Sequence, residues 1–248
     1  MARDLSGKTA LVTGAAGAIG SAISRRLAEE GAHVVLVDLP TSPLGPVAEA
    51  LGDACTIWQI DLSETAGILE AGSDLADRVH GIDILVNNAG ILSNNKLALT
   101  NLDEWRSVHT VNLEAAFALT KCFVPHMRSQ RWGRIINMSS YAAKSGGLTA
   151  GTAYSVSKAG LIGLTFSTAR EVASEGVTVN AIAPAYVVSP MTSERLSEEQ
   201  RRAQMAALPV GRFCTPEEVA HTAAFLASPL SGFITGEVID MNGGLQFD

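Results

Sequence analysis

Cysteines, aromatics and charges are all sparse in this 248-residue chain: three Cys, 5% aromatic residues and 17% charged ones. Cys55, Cys122 and Cys214 are odd in number and far apart, which fits neither a paired disulfide framework nor zinc-ligand spacing. They read as small hydrophobes in a reducing compartment. His33, His80, His109, His126 and His221 are equally scattered with no metal-ligand spacing, so neither a metal nor zinc-dependent alcohol chemistry is expected. Lys and Arg form no long run and the formal net charge is −7. Nucleic-acid binding needs clustered cations, so no nucleic-acid partner is expected. No segment approaches the ~20 uninterrupted apolar residues of a membrane span. Met1 to Lys8 runs directly into an apolar strand without the apolar core of a signal peptide, so a cytoplasmic protein with no membrane partner is expected.

The 47% hydrophobic content supports a large core. Short β-rich apolar runs begin at Thr9, His33, Cys55, Ile82, Gly133, Val177 and Glu237. Segments of helical period lie between them, up to Glu30, from Thr65 to Arg78, from Leu102 to Met127, from Thr152 to Glu175 and from Thr215 to Ala227. This alternation predicts a parallel sheet with crossover helices. Continuously apolar strands require helices on both faces. Thr215-Pro216-Glu217-Glu218 is a helix start, with an N-cap hydroxyl, proline at the first position and acids in the first turn. No shift in composition divides the chain, so residues 1–248 are expected to form one doubly wound α/β domain. The segment from about 185 to 209 is too long for an ordinary connection and is expected to be a lid over a site.

Thr13-Gly14-Ala15-Ala16-Gly17-Ala18-Ile19-Gly20 falls between the first strand and the first helix. Glycines there let the backbone approach a pyrophosphate at the positive end of the helix. Asp38 closes the second strand, where a carboxylate can accept from the ribose hydroxyls of NAD and would repel the 2′-phosphate of NADP. Leu39 follows it, and positions 15 to 18 offer no cation to such a phosphate. In Tyr154-Ser155-Val156-Ser157-Lys158, a helix would put the phenol and the ammonium on one face, one turn apart. A neighbouring cation stabilises phenolate, so Lys158 is expected to lower the Tyr154 pKa.

With the glycine loop, Asn87-Asn88-Ala89-Gly90, and Tyr154-x-x-x-Lys158 in this order, the chain resembles the short-chain dehydrogenase/reductase family over essentially its whole length. The resemblance implies a single Rossmann domain with a seven-stranded parallel sheet, nicotinamide-dependent interconversion of an alcohol and a carbonyl, and a homotetramer or homodimer. It makes Tyr154 the general acid-base, and Lys158 the residue that holds the nicotinamide ribose and tunes the phenol. Ser140 becomes the hydroxyl on the substrate oxygen, and Asn112 the support of a proton relay through water and lysine. Cofactor contacts are implied for Gly14, Ala16, Gly17, Ala18, Ile19, Gly20, Asp38 and Leu39. Asp61 and Leu62 would lie by the adenine, Asn88, Ala89 and Gly90 by the adenosine ribose, and Pro184, Val187 and Ser189 near the carboxamide.

The chain departs from the family pattern at four points. Ala18 stands at the middle glycine of the loop, Ala185 follows Pro184 in place of glycine, and Ser189 replaces a threonine. Ser140 lies 14 residues before Tyr154 rather than 13, which places an extra residue in the Ala142 to Thr152 loop and leaves Ser139 as an alternative hydroxyl.

The expected activity is NAD-dependent oxidation or reduction of a secondary alcohol and ketone pair. Loops rich in Asn, Ser, Thr and Lys point to a polyol, sugar or hydroxy acid. A 3-oxoacyl-thioester reductase shares this plan, although Asp38 disfavours NADPH. A non-catalytic dinucleotide sensor would need the loop but not the hydroxyl, phenol and ammonium together. Asn94, Asn95, Tyr141, Lys144 and Arg195 are either substrate contacts or surface residues. Leu161, Leu164 and Phe166 are core or subunit interface.

Overall fold

The computed structural model describes residues 4–189 and 198–247. Seven parallel strands make one sheet: β1 (Thr9–Thr13), β2 (His33–Asp38), β3 (Cys55–Gln59), β4 (Ile84–Asn87), β5 (Gly133–Met138), β6 (Val177–Pro184) and β7 (Val238–Met241). They lie in the order β3-β2-β1-β4-β5-β6-β7. The helices are α1 (Ala18–Glu29), α2 (Gly45–Leu51), α3 (Ile68–Arg78), α4 (Leu102–His109), α5 (Ala115–Gln130), α6 (Ala142–Ser145), α7 (Thr152–Val172), α8 (Glu198–Ala207) and α9 (Pro216–Ala227).

Alternation within the strands builds a core on each face, because successive side chains point to opposite sides. Val34 and Leu36 join the layer beneath α1 and α9, with Ile23, Leu27 and Ala223. Val35 and Val37 join the opposite layer, with Leu75, Leu119 and Phe123 from α3 and α5. Both layers are dry, which is why the inner strands read as unbroken apolar runs. The edge strands differ: β7 is only partly buried along its length.

Several local features follow the sequence directly. Thr215 caps α9 by accepting from Glu218 N–H, and the Glu218 carboxylate accepts from Thr215 N–H, completing a capping box. The expected helix from Leu102 to Met127 is instead interrupted by a π-helical turn at Thr110–Glu114. An inserted residue widens the turn without disturbing the apolar periodicity on either side, so the pattern conceals it. The short α2 begins at Gly45-Pro46, with proline in its first turn.

The sheet order reverses between β1 and β4. Ligand clefts in such sheets open outside the carboxyl ends of the strands at this reversal. The expected lid lies partly outside the described residues, since positions 190–197 are not among them. Its described parts are the strand exit through Ser189 and α8, whose Glu198, Glu199, Arg201 and Arg202 face solvent as expected of a charged helix face. Val187 bridges to Cys214, with Val188 N–H donating to Cys214 O at 2.9 Å and Cys214 N–H to Tyr186 O at 2.9 Å. The strand exit at 186–188 is thereby held beside Cys214, just before α9.

Candidate active site

A cleft of about 1270 Å³ runs across the carboxyl ends of the strands. It touches every position expected to hold a cofactor, from Gly14 to Ser189, together with Ser140, Tyr154 and Lys158. Asn112 is the exception among the expected residues, lying buried behind the wall.

At one end, β1 delivers the glycine loop to α1. Gly14 has φ +67°, and a Cβ on Gly20 would stand 2.1 Å from Gly14 O, so these two glycines make the turn. No side chain caps the α1 N-terminus and its first turn carries no acid. Such an end offers free N–H groups and a positive dipole to a pyrophosphate. Thr13 braces the loop against its neighbour: its Oγ1 accepts from Asn88 N–H and Ala89 N–H, both at 2.9 Å. Asn88 Nδ2 donates back to Thr13 O at 2.8 Å.

Asp38 sits at the end of β2, its carboxylate held by three donors. Ala16 N–H reaches Oδ2 at 2.9 Å, while Leu39 N–H and the Ser42 hydroxyl reach Oδ1 at 2.9 and 2.5 Å. Ser42 was not singled out in the sequence, yet it fixes this carboxylate; a hydroxyl four residues past the strand end is its only signal. Asp61 and Leu62, expected by the adenine, line the same end of the cleft, and the Ser63 backbone and side chain hold the exposed Asp61 carboxyl below its usual range.

The other end is built where β5 and β6 stop. Ser140 Oγ accepts from Ala142 N–H at 3.1 Å, which aims its hydrogen toward the Tyr154 phenol. Ser139 is not the alternative: its buried hydroxyl donates to Lys158 O at 2.8 Å. Between Ser140 and Tyr154 the chain forms the short α6 and then passes through Gly146 and Gly147, both left-handed at φ +72° and +76°.

Tyr154 and Lys158 share one face of α7, with the ammonium 5.8 Å from the phenol ring centre. The electrostatics differ from expectation. Burial is the largest influence on Tyr154 and raises its pKa, with hydrogen bonding to Ser140 acting against it. Burial likewise pulls Lys158 down to about 8. The same burial desolvates both groups, and Lys158 Nζ donates to Met138 O at 2.7 Å.

Asn112 occupies the π-helical turn, but its side chain is already committed. Oδ1 accepts from Ile91 N–H at 2.8 Å, and Nδ2 donates to Ile91 O at 3.1 Å and to Ser157 Oγ at 3.0 Å. The amide thus clamps the strand exit after Gly90 to α7. A Cβ on Gly90 would lie 3.1 Å from Asn112 Oδ1 and 3.3 Å from Lys158 Nζ, so glycine keeps the space before the ammonium open. Beneath the site, Asn87 Nδ2 donates to Asn137 Oδ1 and Asn137 Nδ2 to Thr165 Oγ1, locking β4, β5 and α7 together.

Of the ambiguous polar residues, Tyr141 and Asn94 line the cleft. Lys144 pairs with Asp240, Asn95 donates to Glu104, and Arg195 lies outside the described residues. Leu161 is core and Phe166 is 50% exposed. Tyr186, its ring 5.6 Å from that of Phe213, lines the cleft without having stood out in sequence.

A family model described as enoyl-(acyl carrier protein) reductase matches residues 14–246. The chain is 43% identical to the 3-oxoacyl-(acyl-carrier-protein) reductase of Vibrio cholerae over 98% of both chains. The chain belongs to the short-chain dehydrogenase/reductase family. Nodulation protein G of a Rhizobium species is 40% identical over 98% of both chains. Among solved structures of this family, a putative NAD(P)-dependent gluconate 5-dehydrogenase from Beutenbergia cavernae, with NADP bound at low occupancy, superposes with TM-score 0.92 at 36% identity over 99% of both chains. As a short-chain dehydrogenase/reductase the protein is an oxidoreductase, and its uncapped α1 end, glycine turn and open space before Lys158 fit a nicotinamide dinucleotide.

Proposed function

We propose that the protein interconverts a secondary alcohol and its ketone with NAD(H), and that its substrate is a polyol, sugar or hydroxy acid. The observation that carries this reading is the gathering of Ser140, Tyr154 and Lys158 on one wall of a cleft whose far end is Asp38 and the α1 N-terminus. Bound there, the nicotinamide supplies or accepts the hydride. Tyr154 takes the alcohol proton during oxidation and returns it during reduction. Ser140 donates to the same oxygen and stabilises the charge that develops on it. Lys158 anchors the nicotinamide ribose. The Asn112 side chain holds Ile91 and Ser157 in place beside it, and any part in a proton relay falls to its main chain rather than its amide. Three donors on the Asp38 carboxylate keep it in place to receive ribose hydroxyls, which is the basis for NAD over NADP. A homotetramer belongs to this reading, and Phe117 and Phe166, each about half exposed on α5 and α7, are available to bury in it.

Reduction of a 3-oxoacyl thioester is the second reading. It is favoured by the names of the relatives at 40–43% identity and by Leu92, Leu148 and Ala150 in the substrate half of the cleft. A spectrophotometric screen at 340 nm separates the two. It would run polyols, sugars, gluconate and other hydroxy acids with NAD or NADP, and acetoacetyl thioesters with NADH or NADPH. The first reading predicts the highest kcat/KM with a hydroxylated substrate and NAD; a best rate with a thioester and NADPH would overturn it.

A further inference from the structure

We propose that Lys96 is a positioning residue that braces the substrate wall of the cleft from behind. Its ammonium donates to three main-chain carbonyls of the loop after α6: Gly147 O, Ala150 O at 2.6 Å and Leu148 O at 3.4 Å. No described backbone N–H reaches any of these carbonyls. Lys96 does not line the cleft, whereas Leu148, Thr149 and Ala150 do.

The loop needs such a brace. It joins α6 to α7, begins with two successive left-handed glycines, and turns three carbonyls toward one point. A compact ammonium with three donors answers that arrangement, because charge-assisted hydrogen bonds are stronger than neutral ones. Two backbone bonds extend the seam. Gly151 N–H donates to Ser93 O at 2.7 Å, and Thr152 N–H to Asn95 O at 3.0 Å. Glu104 secures the other side of the seam by accepting from Ser93 Oγ and from Asn95 Nδ2. Two further backbone approaches show how closely the seam is set. A Cβ on Gly147 would stand 2.2 Å from Ser155 Oγ, and one on Gly151 2.5 Å from Asn95 O.

The consequence is that the stretch between the two catalytic hydroxyls is held to the 93–96 segment rather than free to shift, and α7 begins from that anchored end. Lys96 acts through Leu148 and Thr149, and its charge is used internally rather than offered to a substrate carboxylate. This inference rests on the alcohol and ketone reading of the cleft for its kinetic consequence, but not for its structural one.

The test compares wild type with Lys96→Met and Lys96→Arg. The probes are amide hydrogen exchange at Gly151 and Thr152, NADH affinity by fluorescence, and NADH-dependent reduction of ethyl acetoacetate. For Lys96→Met we expect those two amides to exchange about tenfold faster and KM for the ketone to rise about tenfold, with kcat and NADH affinity within about twofold. Lys96→Arg, which keeps a cation with several donors, should recover much of both effects. Unchanged exchange at Gly151 and Thr152 would overturn the proposal, whether or not the ketone is turned over. So would an equal loss of NADH affinity, which signals general damage, or an Arg variant no better than Met. If wild type fails to reduce the ketone, the functional reading suffers while the exchange result still decides the brace.

Discussion

The two ends of the cleft are made differently. The nucleotide end is mostly backbone: the α1 N-terminus, the Gly14 turn and the exit of β4, with one carboxylate set by three donors. The end proposed for the substrate is mostly side chains on loops, Ser140, Leu148 and Tyr186, with Tyr154 and Lys158 of α7 beside them. The first is therefore dictated by where strands and helices stop, and it presents one solution for one shared ligand. The second is set by loop length and by contacts such as those of Lys96. Relatives of this chain at 36% and 43% identity accordingly bear different substrate names, gluconate and a 3-oxoacyl-(acyl-carrier-protein).

Three substitutions probe that contrast. Tyr154→Phe removes the proposed proton carrier and should lower turnover by about a thousandfold or more, while NADH affinity stays within about twofold. Steady-state rates at 340 nm and a fluorescence titration check both halves, and an active variant would move the acid-base role elsewhere. At the nucleotide end, Asp38→Ser with Leu39→Arg should shift the ratio of kcat/KM for NAD over NADP by about a hundredfold toward NADP, since a like charge facing a phosphate costs several kcal/mol. An unchanged ratio would show that Asp38 does not face the ribose.

The smallest effect concerns the floor that joins the two ends. Lys158 is depressed from its ordinary 10.5 to about 8 by burial. Between these pH values the unfolded chain binds the proton that the folded protein has released, so stability rises with pH across that window. The penalty for burying the ammonium is present below about pH 8 and is relieved above it. Without added nucleotide, urea midpoints from pH 8 to 10 should show wild type gaining about 2 kcal/mol relative to Lys158→Met. Parallel curves for the two proteins would contradict the buried-ammonium description.

The same contrast governs what was readable from the chain. The seven strands and the helix start at Thr215 follow from apolar runs and from residue types with one strong preference, whereas the strand order and its reversal between β1 and β4 do not. The glycine loop and Asp38 were legible because backbone geometry leaves few alternatives at a strand-to-helix turn. The π-helical turn was hidden, since it preserves the apolar rhythm around Asn112. The balance at Tyr154 was hidden for another reason: helical spacing places Lys158 on the correct face but does not reveal that its Nζ turns to Met138 O. Ser42, Tyr186 and Lys96 left no pattern because their partners are 4, 27 and more than 50 residues away in sequence.

The most direct test of hydride transfer at this cleft uses NADH carrying deuterium at the transferable C4 position, with a ketone that the enzyme reduces. Direct transfer puts one deuterium on the carbinol carbon of the alcohol formed, and Tyr154→Phe forms almost none of that alcohol. Product without deuterium, in ordinary water, would contradict direct transfer between the nicotinamide and the carbonyl carbon.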